Sequence, residues 1–407
     1  MFLSIVAFII ILGLLIFVHE LGHFLTARVF GVKAEEFGFG FPPRMIGVVF
    51  NEKKQKWEII KGNKEVKRKN TIYSLNYIPI GGFVKILGED GEDKGQNKKD
   101  KKIKVDKKSN NFSHKPVWQR IIILSAGVIM NFITAAIILS FGFMIGLPEP
   151  VEDEAGQLKN PKVQIIEVIK DSPAQKMGLA SGDEILKIKV PETGQSIEVE
   201  KTAQVVSFIK KNSNREILIK VKRGDDIYRL KGTPRENPPE GQGSLGIALS
   251  RVAIVSYPFF ESIKMGFSST IGITKQMLIA FKTMFGDFIF KGDSEKLKQV
   301  SGPLGIVVLT NQMTEMGFSY LVQFAALLSI NLAIINILPI PALDGGRILF
   351  LLLESIKGKP VSSRLEGKFH LIGMFLLLTL MFVITVRDFF KFEEKFEVLF
   401  EKISNIL

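Results

Sequence analysis

Four stretches of the chain read as continuously apolar: residues 3–25, about 117–147, from about 320 to the prolines at 339 and 341, and about 369–387. A rise of about 1.5 Å per residue lets a helix of that order cross a hydrocarbon core about 30 Å thick. Four transmembrane helices are therefore predicted. Between them the pattern changes period. Residues 46–50, 56–60, 71–78 and 82–87 carry the short β-branched and aromatic runs of strands, which makes 31–88 a β-rich element. Period-two alternation returns at 163–169, 185–189, 216–221 and 227–230, with a helical pattern at 203–211, inside a mixed-charge region spanning 148–250. From 251 to 319 apolar residues are interrupted by Glu261, Lys264, Lys275, Lys282 and Asp287, a spacing that predicts amphipathic helices in the membrane interface. The tail at 388–407 repeats that character through Phe389, Phe392, Phe396, Leu399 and Ile403.

Composition narrows this picture. The 407 residues carry a net charge of +13, which could suit nucleic acid, but the Lys/Arg excess falls mostly between residues 28 and 120, flanking two spans. The positive-inside rule accounts for it, so no nucleic-acid partner is expected and that loop is assigned to the cytoplasm. The N-terminus and the 148–250 region then lie outside the cell membrane. The stretch from 89 to 116 is rich in Lys, Asp, Asn, Gly and Ser and reads as a flexible charged loop. No basic segment and no small-residue cleavage site marks the first span as a removable signal peptide. The chain has no cysteine, so any metal must be held by His, Asp or Glu.

Chemistry concentrates in Phe17-Val18-His19-Glu20-Leu21-Gly22-His23-Phe24, which closes a span whose residues 3–18 carry no charge. On a helix His19 and His23 share one face, with Glu20 beside them. Two neutral imidazoles in that arrangement can hold Zn²⁺ while the carboxylate takes a proton from water. Ionisable groups inside a span face a cavity or do work far more often than they face lipid. His19 lies roughly 24 Å along the first helix, near its basic end. The third span, broken by Pro339 and Pro341, delivers Asp344 to the same depth, and Asp344 is either the missing third ligand or the cap of a new helix. Asn336 and the carbonyls freed by Pro339 and Pro341 can pair with an extended substrate backbone, and the strand edge at Val84 offers the same from the opposite side. Asn131, midway along the second span, is either interhelical glue or a partner for substrate. His114 and His370 read as surface and interface residues.

Asp171-Ser172-Pro173-Ala174, Gly178-Leu179 and Gly182-Asp183-Glu184-Ile185-Leu186 resemble the carboxylate-loop-to-strand segment of PDZ domains, which bind peptide C-termini or extended segments. The whole chain resembles the site-2 protease family of intramembrane zinc metalloproteases, and within it the bacterial regulator-of-sigma-E proteases. The likeness is carried in order by His19-Glu20-Leu21-Gly22-His23 with Arg28, Phe39-Gly40-Phe41, Pro79-Ile80-Gly81-Gly82-Phe83-Val84-Lys85, the PDZ-like stretch, Ser301-Gly302-Pro303, and Asn336 to Gly346. It departs from the family at Ala126-Gly127-Val128, where Ala-Gly-Pro is frequent, and in showing one PDZ-like signature.

The resemblance implies cleavage of single-span membrane proteins within the bilayer of the bacterial cytoplasmic membrane, with Glu20 as base and His19, His23 and Asp344 on zinc. Anti-sigma factors or remnant signal peptides are the substrates it suggests. The architecture expected is a polytopic α-helical membrane protein with four transmembrane helices, a membrane-associated β-rich cytoplasmic loop and an inserted extracytoplasmic PDZ-like α+β domain. In residue terms the helices fall at 1–30, 117–147, 320–356 (with the Leu-Asp-Gly-Gly re-entry) and 369–387. A membrane PDZ adaptor with structural zinc or none is the competing reading, distinguished by whether three or four protein ligands hold the metal.

Overall fold

A computed structural model describes residues 2–63, 69–89, 109–153, 161–224, 226–292, 300–359 and 361–391. The charged loop expected at 89–116 falls largely in 90–108, and the amphipathic tail largely in 392–407, both outside the described residues. The chain divides into two compact units, one formed by residues 1–138, 267–308 and 325–407, the other by 139–266 and 309–324. Among the described residues four helices are long and apolar enough to cross a membrane. These are α1 (Phe2–Val29), α2 (Val117–Ile145), α7 (Phe318–Ile337) and α9 (Ser363–Lys391).

In the first unit, α1 is followed by a three-stranded sheet of β1 (Ala34–Asn51), β2 (Lys56–Lys61) and β3 (Ile72–Ile86), in the order β2-β1-β3. The structure differs here from the four short strands expected. Phe39-Gly40-Phe41 is part of the long β1, and the two runs before and after Gly81 are one bent strand. Phe37 is paired with Tyr73 on one side and with Val84 on the other, so the C-terminal arm of β3 lies beyond β1. Pairing of this kind joins residues far apart in sequence, which local alternation cannot report. Gly81 sits at φ 76° where a Cβ would come 2.7 Å from Ile16, and this close approach lays β3 against α1 just ahead of the histidines. Phe24 stacks on Phe37 at 4.6 Å, and Glu36 and Arg44 form a buried ion pair inside β1.

α7 ends at Ile337, and after the proline segment α8 (Asp344–Lys357) begins with Leu343 as its cap. Asp344 is therefore the first helical residue rather than the cap, and its side chain is free to be used elsewhere. Gly345 and Gly346 permit the reversal, since a Cβ at either would come within 2.3 Å of the carbonyls at Ile337 or Ile340. Two long-range contacts from α9 hold the neighbouring loops. His370 Nδ1 accepts the backbone N–H of Ala342 at 2.9 Å, so His370 secures the proline segment instead of merely marking an interface. Asp388, 1% exposed, accepts the N–H groups of Gly302 and Gly305 at 2.7 and 3.0 Å at the start of α6 (Pro303–Met316).

The second unit is a sheet in the order β4-β10-β5-β6-β8-β9, with β7 on β6. Its strands are β4 (Leu147–Pro150), β5 (Lys162–Val168), β6 (Glu184–Lys189), β7 (Ser196–Glu198), β8 (Ile217–Arg223), β9 (Asp226–Gly232) and β10 (Ile247–Val255). Helices α3 (Pro173–Met177) and α4 (Thr202–Lys211) accompany them, over a core that includes Ile165, Ile185, Ile188, Val205, Ile217 and Leu245. β10 carries the sheet past residue 250, where interfacial helices were expected to begin, because it pairs with both β4 and β5. The helical stretch proper is α5 (Phe259–Lys291), a single helix of 33 residues. Asp183, fully buried, receives Arg223 Nε at 2.6 Å and the N–H of Ala180 at 2.9 Å, locking the turn into β6. Asp153 caps α4 from a distance, accepting the Thr202 hydroxyl at 2.6 Å and the N–H groups of Thr202 and Ala203 at 3.0 Å each. Partial burial pushes the Asp153 carboxyl up, but the Thr202 hydroxyl and the two amides outweigh it and hold the group below the ordinary carboxylate range.

Candidate metal centre

One turn of α1 separates His19 from His23, and both rings point to the same side, where they are 7% and 6% exposed. Asp344 reaches them from the first turn of α8. His19 Nε2 lies 3.0 Å from Asp344 Oδ2, His23 Nε2 lies 3.3 Å from the same oxygen, and the two Nε2 atoms are 3.2 Å apart. A tetrahedral zinc with bonds of about 2.0–2.1 Å separates its ligands by about 3.3 Å. The triangle has the dimensions of one face of that tetrahedron. Three protein donors leave a fourth corner for solvent or substrate, the composition of a catalytic site rather than a closed structural one. Among the described residues this is the one cluster of three or more His, Asp or Glu side chains with metal-ligand spacing.

The surrounding residues fix which ring nitrogen faces the centre. His23 Nδ1 donates to the backbone carbonyl of Ile123 at 2.8 Å, which leaves Nε2 with its lone pair directed at Asp344 and His19. The terminal amide of Asn131, fully buried, lies 3.3 Å from His19 Nδ1. With its oxygen turned to the ring it accepts the Nδ1–H and sets the same tautomer, since amide oxygen and nitrogen are interchangeable by rotation. Ser329 on α7 donates to the Asn131 backbone carbonyl at 2.8 Å and ties this turn of α2 to the third spanning helix. α2 can lie this close because of Gly127. A Cβ there would stand 2.4 Å from His23 Nε2 and 2.7 Å from His19, and Gly22 makes the matching approach from α1 onto the carbonyl of Ala126.

Glu20 lies about 60° round the helix from His23, given 3.6 residues per turn. Its Oε2 accepts the backbone N–H of Val84 at 3.2 Å, so the outer arm of β3 holds this carboxylate beside the histidines. Val84 was read from the sequence as an edge for substrate; its N–H is used here by Glu20. Asn336 is half-buried one residue before α7 ends, and Pro339 and Pro341 lie in the connection to α8. The contacts that join His19, His23 and Asp344 do not include these three residues. Sequence reasoning missed Ile123 and Gly127, and assigned Asn131 to helix packing or substrate. A glycine four residues before a lone buried amide was the available signal, but only the pairing of α1 with α2 gives it meaning.

A family model described as peptidase family M50 matches residues 7–63 and 59–380. The chain is similar to the regulator of sigma-W protease RasP of Bacillus subtilis (strain 168), at 32% identity over 95% of the chain and 98% of that protein. It is also similar to the zinc metalloprotease RasP of Geobacillus kaustophilus (strain HTA426), at 29% identity over 96% of the chain and 98% of that protein. The membrane metalloprotease ARASP, chloroplastic, of Arabidopsis thaliana is 31% identical over 95% of the chain and 79% of its own length.

Proposed function

Because the chain belongs to peptidase family M50, and its three metal-binding side chains converge at the end of an apolar helix, we propose that it is an intramembrane zinc endopeptidase acting on single-span membrane proteins. The observation that carries this reading is the triangle of His19, His23 and Asp344, with edges of 3.0 to 3.3 Å, next to a carboxylate held by a backbone amide. His19, His23 and Asp344 hold the zinc, which when bound supplies Lewis acidity toward the scissile carbonyl and lowers the pKa of water. Glu20 takes the proton from the attacking water and returns it to the amine nitrogen as the C–N bond breaks. The Val84 N–H keeps the Glu20 oxygens turned toward that reaction rather than toward lipid.

A transmembrane substrate hides its carbonyls in internal hydrogen bonds, so the segment to be cut must open locally. Asn336 and the carbonyls around Pro339 and Pro341 are the polar groups we assign to the opened strand; the Val84 N–H, bonded to Glu20, is left to the base. Anti-sigma factors fit this substrate class, as do remnant signal peptides; the relative in Bacillus subtilis bears the name of a sigma-factor regulator. The four apolar helices and the bacterial relatives support a multi-pass protein of a bacterial cytoplasmic membrane, and from the Lys/Arg distribution we orient it with its N-terminus and its inserted β-rich domain outside and the zinc site toward the cytoplasm. That inserted domain is read as PDZ-like, a sheet whose edge takes peptide C-termini or extended segments.

Replacing Glu20 with Gln tests the assignment. Zinc content of the purified variant should equal that of the parent, and cleavage of a reconstituted single-span substrate should fall by about 10²–10⁴-fold, the usual contribution of a general base. Wild-type cleavage by this variant would falsify the mechanism.

A further inference from the structure

The end of α1 that follows the zinc site opens into a cavity whose lining includes none of His19, Glu20, His23 or Asp344. Its volume is about 520 Å³, within the range of about 300–1,000 Å³ typical of small-ligand sites. Three cations line it: Arg28 from the last turn of α1, Lys33 from the turn into β1, and Lys69 from the residues just before β3. No acidic side chain is among the lining residues described. Phe50, Trp57 and Tyr73 form an aromatic wall, with Phe50 and Trp57 at 5.6 Å and Trp57 and Tyr73 at 6.5 Å between ring centroids. Asn70 and Asn110 add amides at the rim.

Arg28 is held by its neighbours. Arg28 lies 5.5 Å over the face of Phe24 and donates to the Tyr73 hydroxyl at 3.5 Å, which leaves the rest of its planar fork for an oxyanion. Lys69 pairs with Glu52 at 3.0 Å, but both partners are largely exposed and such a pair is weak and exchangeable. A phosphate is the anion that a planar guanidinium with an exchangeable ammonium group beside it matches best.

Position identifies the source of that phosphate. Arg28 is one residue from the end of the spanning segment Ser4–Val29, so the cavity lies at headgroup depth. Beside the cations, apolar side chains face outward: Val29 is 81% exposed, Ile59 65% and Trp57 59%. Aromatic rings with one wet edge and one apolar edge collect at this level of a bilayer. We propose that this cavity is a binding site for the phosphate headgroup of an anionic phospholipid, whose acyl chains run along Val29 and Ile59.

The chain has two tryptophans, Trp57 and Trp118, so replacing Trp118 with Phe leaves the cavity's own ring as the sole indole fluorophore. Full-length protein carrying that change, in mixed micelles, is titrated with acyl-brominated phosphatidylglycerol or acyl-brominated phosphatidylcholine while Trp57 emission is followed. Phosphatidylglycerol should quench at a mole fraction at least about tenfold lower. A cation near an anionic headgroup contributes about fivefold in affinity, so Arg28→Gln alone should raise the half-quenching fraction about fivefold. Arg28→Gln, Lys33→Gln and Lys69→Gln together should raise it roughly a hundredfold. The paired Lys53→Gln and Lys54→Gln variant, altered in the neighbouring turn but outside the cavity, should titrate like the parent. Inorganic phosphate and glycerol 3-phosphate should leave the quenching in place.

Equal quenching by the two lipids overturns the proposal, as does an Arg28→Gln protein that titrates like its parent. Release of the brominated lipid by millimolar glycerol phosphate overturns the lipid assignment in favour of a soluble phosphate compound. The triple variant is read only alongside a parent-like circular dichroism spectrum, and the single Arg28→Gln change decides the matter if it misfolds.

Discussion

Gly127→Ala is the sharpest perturbation the metal centre offers, because it adds one methyl group and replaces none of the residues assigned to the metal. In a helix interior alanine is favoured over glycine by about 1 kcal/mol, so the change by itself strengthens α2. The methyl carbon, however, would be 2.4 Å from His23 Nε2 and 2.7 Å from both His19 Nε2 and His19 Cε1. Ordinary contact needs about 3.5 Å between heavy atoms, so the rings or the two helices must separate by about 1 Å. The ligand triangle, with edges of 3.0 to 3.3 Å, has no slack of that size. Displacement of this order costs about 10²-fold in rate where reacting groups must be aligned, and loss of ligand orientation costs about 10–100-fold in metal affinity. Zinc affinity, measured by competition with a chromophoric chelator, should therefore fall by at least tenfold. Cleavage of a reconstituted single-span substrate at saturating zinc should fall about a hundredfold, while helix content by circular dichroism is retained. A Gly127→Ala enzyme that binds zinc and cleaves within twofold of wild type would show that α2 is not packed on the histidines as described.

Asn131→Ala should weaken zinc binding about 10–100-fold in the same chelator competition by releasing the His19 tautomer, and Asn131→Asp, which restores an acceptor, should recover part of the loss. Val84→Pro deletes the N–H that Glu20 accepts, so turnover should fall by a similar factor for a helical substrate and for a pre-unwound, glycine-rich one, with zinc content unchanged; a loss confined to the helical substrate would mean that the amide serves substrate and not the base. Asp153 has a folded pKa below its unfolded one, so its contribution to stability is complete above the unfolded value near 4 and is lost as pH falls through the lower, folded value. Thermal unfolding of wild type and Asp153→Asn should accordingly differ at pH 7 and converge toward pH 3, and a constant gap across that range would remove the α4 cap from the explanation.

The elements set by local pattern were legible in the sequence: the four spans follow from unbroken apolar runs, and the β-rich character of the two intervening regions follows from period-two alternation. Pairing was not. Phe37 lies between Tyr73 and Val84, and β10 lies between β4 and β5, because strands about a hundred residues apart in the second case complete one another. Nothing in the Val252 to Val255 run distinguishes a strand that closes a sheet from the start of an apolar helix, so the expected boundary at 250 came too early. His370 shows the same limit on a smaller scale. Its position at the start of an apolar run suggested an interface, whereas its ring accepts the Ala342 amide two residues ahead of Asp344.

At the centre itself, what the sequence exposed was the set of groups that carry charge or lone pairs, and what it concealed was the scaffold that aims them. His19, Glu20 and His23 stand out because ionisable side chains are expensive inside a span, and Asp344 stands out at an equal depth in a broken helix. The parts that turn the two rings are a backbone carbonyl at Ile123, an amide at Asn131 and the missing side chain of Gly127, all on α2. A carbonyl is present at every residue, and a glycine in a spanning helix has several common uses, so neither is informative until the helices are paired. The consequence is a division of labour between the helices: α1 and α8 carry the side chains assigned to the metal, while α2 orients them. Ser329 on α7 bonds to the same turn of α2 as Asn131, which makes that turn the place where three spanning helices are fastened together. A change in how α7 packs would thus reach His19 through Asn131 without moving any ligand residue directly.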